Sequence, residues 1–440
     1  MSVVLATGCA VEQPTGTSVP SRPSFAKAPA GPTVTSTNPS YAHRGDTKVT
    51  VHVIGTGFAP GATAAWSDGT DTTSVTTEST NYISATEVVA VIDVSAAAPI
   101  ALYNVSVTNR DGKKGVGAEL FAVTTAVVVG TGTLGGDAIV NEINDLGQVV
   151  GYFDASGPFI TSGNTIISLG ATGFANGVSP SGDVVVGRDD APVAWIRQAS
   201  GSYVKETLPT AATTGGGVWH AAGTPGGTLV AAGYENTSTS KQTPSTRPVI
   251  WTRTGTTWSS PTPYTIPSTS GTGIAVTTLG VMAGKRATGP NTAEWGVWDT
   301  PSSFTTLSAA FLQSINSAGT VVVGPGPAGP SLWYRNVSTG VWNPTPVALP
   351  TGCGADGSAQ DINDSGVIVG YACGSAAVWR IDASVSPPTL VSGPLFLVGL
   401  GGNGTNAGSQ ADAVTSTYPY VVAGSATSGG HRLVVKWIVQ

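Results

Sequence analysis

Charge is scarce in this chain. Only 10% of its 440 residues are Asp, Glu, Lys or Arg, the net charge is −6, and the Lys and Arg are scattered rather than clustered. A phosphate backbone is held by gathered positive charge, so nucleic acid is excluded as a partner. Long apolar runs are missing too: none approaches the roughly 18 residues of a spanning helix. Histidine is limited to His43, His52, His220 and His431, which lie far apart and lack zinc-ligand spacing. His52 alternates within a strand and His431 falls in a loop, so both read as structural or exposed. No Gly-x-Ser-x-Gly elbow stands in a strand-to-helix setting. Polar groups for catalysis do not converge in the sequence, and no metal or cofactor is expected. A pair of glycosidase carboxylates distant along the chain stays open. What is abundant is glycine, at 59 residues, and proline, at 30, in a chain that is 40% hydrophobic. That hydrophobicity argues against solvated disorder, and the Gly/Pro punctuation argues against long helices. An all-β fold is expected.

A recurring pattern organises the last three quarters of the chain. A small hydrogen-bonding residue (Asn144, Ser179, Thr224, Thr277, Asn316, Asn363, Thr415) precedes a turn. Glycine follows three places on in six copies (Gly147, Gly182, Gly227, Gly280, Gly319, Gly366), while the seventh has Tyr418. Then come a short apolar strand, a second glycine and an apolar-Trp pair, with Trp at 195, 251, 298, 333, 379 and 437 and Phe159 in the first copy. The period, about 45 residues, is that of four-stranded propeller blades. Asn, Ser and Thr bond nearby backbone N–H groups and so pre-form the turn, and glycine closes it with φ > 0. The Asn144-Asp145 and Asn363-Asp364 pairs invite a calcium reading, but neither turn supplies enough oxygen ligands. The Trp residues are read as core packing rather than a carbohydrate platform. The chain reaches its last residue just after the third strand of the seventh copy, and Thr125 to Gly130 reads as the missing outer strand, which would close the ring.

Three cysteines remain. Cys9, preceded by Leu5-Ala6-Thr7-Gly8 and followed by a Pro/Ser/Thr-rich stretch, looks like the end of a bacterial lipoprotein signal. The expected organisation is a truncated signal over 1–9 lipidated at Cys9 and a flexible tether over 10–31; a free thiol in a polar tail is the alternative. Cys353 and Cys373 flank the sixth turn at nearly equal distances, so they face each other across an antiparallel hairpin. A disulfide there would fit an oxidising compartment; two reduced core cysteines are the other reading.

From Pro32 the pattern is of short strands. Thr47 to Val53 alternates polar and apolar residues, and further strands are expected at Thr73 to Thr77, Glu87 to Val94, Tyr103 to Thr108 and Glu119 to Val123. Such spacing indicates a β-sandwich. Asn38-Pro39, Gly55-Thr56-Gly57-Phe58 with Gly61, Trp66, Tyr103 to Val107 and Asn109 to Gly112 resemble the immunoglobulin-like TIG/IPT domain over 32–124. In bacterial surface chains that resemblance implies a spacer or binding unit. Residues 125–440 resemble the HAF-type extracellular repeats of bacteria, through Ile143-Asn144-Asp145-Leu146-Gly147-Gln148-Val149-Val150-Gly151 and Ile362 to Gly370.

Together these readings predict an Ig-like sandwich followed by a seven-bladed propeller closed by an N-terminal strand. The residues after the second glycines include Tyr152, Arg188, Tyr234, Lys285 and Tyr371, a candidate ligand-binding mouth; a solvated polar rim is the plainer alternative. The expected function is a non-enzymatic, monomeric protein of the bacterial surface, outer membrane or extracellular space, binding a glycan or envelope protein. It would meet the membrane only through its lipid anchor. The rival is a propeller hydrolase or lyase acting on extracellular polysaccharide, discriminated by two carboxylates converging about 5 to 10 Å apart.

Overall fold

The computed structural model describes residues 31–130, 135–211, 215–224, 226–237, 245–264, 270–289, 292–400, 408–428 and 430–439. The expected signal with Cys9, and the tether up to residue 30, lie outside them. Among the described residues every regular element is a β-strand.

The first eight strands make two four-stranded sheets. One runs in the order Thr33–Asn38, Val49–Thr56, Glu87–Val94, Val75–Ser84; the other in the order Tyr41–His43, Lys114–Thr124, Ala101–Thr108, Thr63–Ser67. Strict alternation along Glu87–Val94 turns Val88, Ala90, Ile92 and Val94 inward. They share one core with Trp66 and Phe121, whose rings meet edge to face at 5.9 Å. Asn109 fixes one end of this unit: its Oδ1 accepts the Ala59 N–H at 3.0 Å and its Nδ2 donates to the Gly57 carbonyl at 2.8 Å. Three strands, Thr33–Asn38, Tyr41–His43 and Thr63–Ser67, were not singled out by alternation, since Pro39 and the Pro60-Gly61 turn break the pattern around them.

The remaining strands form seven antiparallel sheets in chain order. Their inner strands are Ala138–Ile143, Phe174–Val178, Gly216–Gly223, Gly271–Val276, Ser314–Ile315, Gly357–Ile362 and Ser409–Val414. Each is followed by a second and third strand, and outward lies a fourth; the third sheet has two short pieces, Thr257–Trp258 and Thr262–Pro263, in that place. Val127–Val128 is the fourth strand of the seventh sheet, with Val128 opposite Val435 and Val127 opposite Lys436. Each sheet packs against the next, and the seventh packs against the first.

The repeated residues have separable tasks. Six of the seven anchor side chains accept an N–H across their own turn: Asn144 from Gln148, Ser179 from Val184, Thr277 from Val281, Asn316 from Thr320, Asn363 from Val367 and Thr415 from Val421. The Asn-Asp pairs also join neighbouring sheets. Asn144 Nδ2 donates forward to the Ser179 carbonyl at 3.0 Å, and Asn363 Nδ2 to the Thr415 carbonyl at 2.8 Å. The aspartates reach backward, Asp364 taking the Ala318 N–H at 2.9 Å and Asp145 both the Ser416 N–H at 2.6 Å and its hydroxyl. The last contact joins the first sheet to the seventh.

The second glycine of each copy answers to a bulge. The inner strands bulge at Asn141, Asn176, Trp219, Ile274, Gln360 and Asp412, and in the fifth sheet Gln313 and Ser314 both face Val323. The bulge drives the carbonyl two residues earlier against the facing strand. At Gly151, Gly187, Gly233, Gly284, Gly324, Gly370 and Gly424 a Cβ would overlap that oxygen.

All six repeat Trp side chains are buried, at no more than 1% exposure. Indole N–H groups of Trp251 and Trp379 end on the carbonyls of Pro209 and Pro350, each at 2.7 Å. Two details differ from the repeat as read in sequence. Phe159 lies opposite Gly151, whereas Trp195 lies opposite Val185, so Thr161 holds the register position that Trp holds elsewhere. The Phe159 ring still covers Gly151, at 3.1 Å from where a Cβ would stand, as Trp195 covers Gly187. In the third copy positive φ falls on Gly226, at 71°, rather than on Gly227.

Cys353 and Cys373 are disulfide-bonded, with Cα atoms 5.9 Å apart, just beyond the open end of the sixth hairpin. The first unit meets the seven sheets through Ser40 Oγ, donating to the Leu400 carbonyl at 2.8 Å, and Thr124 Oγ1, donating to that of Val398 at 2.9 Å.

Candidate functional site

The inner strands of all seven sheets line one cavity of about 530 Å³. It extends from the bulges to the anchor turns, taking in Val140 to Asp145 of the first sheet and Gln360 to Asn363 of the sixth. A bulge turns consecutive side chains toward the same side, so polar residues at and just after it reach inward. At the bulge stand Asn141, Asn176, Trp219, Ile274, Gln313, Gln360 and Asp412; immediately after it stand Glu142, Gly177, His220, Ala275, Ser314, Asp361 and Ala413.

Part of this lining is committed to holding the sheets together. Asn141 Nδ2 donates to the Ala175 carbonyl at 2.8 Å, and Asn176 Nδ2 to that of Val218 at 2.7 Å. His220 Nδ1 accepts the Val276 N–H at 3.3 Å, and Asp361 accepts the Val414 N–H at 2.9 Å. The Val178 N–H bears on the Glu142 carboxyl in the same sense, lowering its pKa. Val178, Val276 and Val414 each directly precede an anchor, so the same position of the next strand is met in all three. Asp361 is further tied by Ser314 Oγ at 2.6 Å and by its neighbour Ile362 N–H at 2.8 Å. Opposite the acceptors the next strand is small, with Gly177, Ala275 and Ala413.

These groups are far from their ordinary titration. Burial pushes the Glu142 carboxyl well above the carboxylate range, and the Asp361 charge adds to it. Burial also raises Asp361, against its three hydrogen bonds. Asp412 is pushed up to about 8 by burial, opposed by Arg432 and by Gln410, whose Nε2 donates to it at 2.6 Å. Burial lowers His220 to about 4. Glu142 Oε2 has no partner among the described residues.

Two amides of the lining are uncommitted. Among the described residues the side-chain amides of Gln313 and Gln360 form no hydrogen bond, while Trp219 and Phe311 remain 37% and 38% exposed at the cavity wall. The result is a pocket with free amide donors and acceptors, carboxyls of Glu142, Asp361 and Asp412 that burial shifts upward, and two aromatic faces.

The five residues of the predicted mouth lie elsewhere. Tyr152, Arg188, Tyr234, Lys285 and Tyr371 pair with Ile139, Phe174, Gly217, Thr272 and Ser358, all on the far side of the bulges from the anchor turns. None lines the large cavity. The anchor-turn end is where that cavity lies. Three of the five are drawn together: Tyr152 and Arg188 both contact the Phe174 ring, with separations of 4.6 Å, and Arg188 and Tyr234 flank Gly217. Lys285 instead sits over Trp295 at 5.8 Å, and no side-chain contact joins Tyr371 to the others among the described residues. The inner-strand acids and amides were missed because they vary from copy to copy; the signal was polarity two or three residues before an anchor, where a strand facing only core would be apolar.

No protein-family model matches the chain, and no curated protein matches it.

Proposed function

We propose that this chain is a non-enzymatic, monomeric glycan-binding protein of the bacterial surface, with a lipid anchor at Cys9, a TIG-like immunoglobulin sandwich and a seven-bladed β-propeller of HAF-type repeats. The propeller reading is supported by seven four-stranded sheets in chain order, the seventh completed by Val127–Val128 and tied to the first through Asp145 and Ser416. Two facing sheets on a common core support the sandwich. The disulfide fits an oxidising compartment. One observation carries the ligand class: a cavity reached by all seven inner strands pairs the unpartnered Gln313 and Gln360 amides with the aromatic faces of Trp219 and Phe311. Sugar hydroxyls need both donors and acceptors, and the C–H face of a sugar ring packs on an aromatic ring. A propeller hydrolase or lyase is the second reading, favoured by Glu142, an acid with an unpartnered oxygen in the same cavity as Asp361. Asp361 is already saturated by three donors, which suits a structural post better than a nucleophile.

The test is a glycan array on the full chain with the double variant Gln313→Ala/Gln360→Ala. Binding should fall at least about tenfold with the thermal transition nearly unchanged. Undiminished binding would place the ligand elsewhere. Turnover of an oligosaccharide that Glu142→Gln abolishes would establish the enzyme reading instead.

A further inference from the structure

A second cavity, of about 440 Å³, lies between the second and third sheets and is lined by Phe174, Arg188, Asp189, Asp190, Tyr234 and others. Its central feature is Arg188. The guanidinium stands 4.6 Å from the Phe174 ring centroid and 5.8 Å from that of Trp219, and it forms no ion pair or hydrogen bond among the described residues. Two rings therefore orient it while its N–H edges stay free. Gly217 makes room: a Cβ there would meet Arg188 Cδ at 3.1 Å and Tyr234 Cε1 at 3.2 Å, so both side chains lie over a residue without one.

The acids of the cleft are not equivalent. Asp189 is bound to Lys205 Nζ at 2.6 Å and to Thr172 Oγ1 at 3.2 Å, and these bonds hold its pKa low. Its charge is spoken for. Asp190 is exposed, and its carboxylate forms no hydrogen bond or ion pair among the described residues. The cleft thus presents one free planar cation and, two residues away, one free acceptor.

We infer that this cleft, built on Arg188 between Phe174 and Trp219, is a subsite for a hexuronate residue of an acidic saccharide. It rests on the glycan reading of the preceding section. A sugar carboxylate is planar and singly charged, and it matches the fork of a guanidinium with two parallel hydrogen bonds. Asp190 selects against a more highly charged phosphate or sulfate by repulsion, yet accepts from a neighbouring sugar hydroxyl. The Tyr234 hydroxyl is a further polar group of the wall.

Calorimetry of the full chain with digalacturonate, with neutral digalactose and with inorganic phosphate tests this. Digalacturonate should bind with salt-sensitive affinity, and Arg188→Gln should weaken it at least about tenfold, while Gln313→Ala/Gln360→Ala leaves it unchanged. Arg188→Lys, which keeps charge without the fork, should fall between wild type and Arg188→Gln. Phosphate should bind only once Asp190→Asn removes the repulsion. Equal binding of digalacturonate by Arg188→Gln with an unchanged thermal transition overturns the inference alone. So does phosphate binding to the unaltered chain as tightly as digalacturonate. Should Arg188→Gln unfold, a full-affinity Arg188→Lys would overturn it equally. If no saccharide of either kind binds, the inference falls together with the glycan reading.

Discussion

Raising the pH from 6.5 to 8 should weaken the fold, and Asp412→Asn should remove its own share of that weakening. The reasoning starts from the two groups of the large cavity whose positions on the pH scale are fixed by burial. His220 titrates at about 4 rather than 6.5, so the stability linked to it is present above pH 6.5 and is lost as pH falls through 4. Asp412 runs the other way. Its folded value of about 8 lies above the ordinary value of 3.8, so its contribution is fully present below 3.8 and is lost as pH rises through 8. Between about pH 4 and 6.5 the two slopes oppose each other. Between 6.5 and 8 only the acid slope remains, and one proton per molecule over that window amounts to about 2 kcal/mol. Glu142 is shifted in the same direction and adds to the loss.

Denaturant unfolding at pH 5, 6.5 and 8 reads this directly. The advantage of Asp412→Asn over wild type should grow with pH, by about 2 kcal/mol between pH 5 and 6.5 and by about 2 kcal/mol more between 6.5 and 8. Water entering the cavity would reduce the figure without changing its sign. A wild type as stable at pH 8 as at 6.5, or a variant with the same slope, would refute the argument, and with it the claim that Asp412 faces a poorly solvating wall.

Gly187→Ala places a methyl group onto the Phe174 carbonyl and 3.1 Å from Trp195 Cζ3, so neither backbone nor indole is free to yield; a loss of about 2 to 4 kcal/mol in denaturant unfolding is expected. Gly147→Ala, with open space around it but φ of 71°, should cost only about 1 kcal/mol. Asp145→Ala removes the two bonds to Ser416 that join the first and seventh sheets; because the pair is exposed, about 1 kcal/mol is expected, with hydrogen exchange rising first in Ser409–Val414 and Ala138–Ile143. Reduction of Cys353–Cys373, which closes a separation of 20 residues, should lower stability by about 3 kcal/mol, measured with and without reductant.

The sequence carried the scaffold and hid the site for one physical reason. Anchors, glycines and Trp residues solve the same local problem in every copy: an acceptor for turn N–H groups, space for a displaced carbonyl, and apolar area between sheets. Repetition of the problem forces repetition of the residue, and periodicity exposes it. Phe159 departs by one register pair and still fills the volume over Gly151, so even a mismatch in pattern answers the same need. A ligand makes no such demand, because it is not itself seven-fold repeated. The column just after the bulge therefore reads Glu, Gly, His, Ala, Ser, Asp, Ala, with no period to find. The third copy compounds this. Its hairpin is two residues longer on each strand, so that His220 lies four residues before Thr224 while Glu142 lies two before Asn144, and alignment on the anchors sets the two out of register. Only the pairing of Val140 with Gly151 and of Val218 with Gly233 restores it. The bulge is the decisive element here: it shifts the inward face by one residue, so alternation counted from the anchor misassigns which side chains reach the cavity. Aligned through the hairpin pairing instead, Glu142, His220, Ser314 and Asp361 all stand opposite the residue just before the second glycine, and a column of polar residues in otherwise apolar strands is a site.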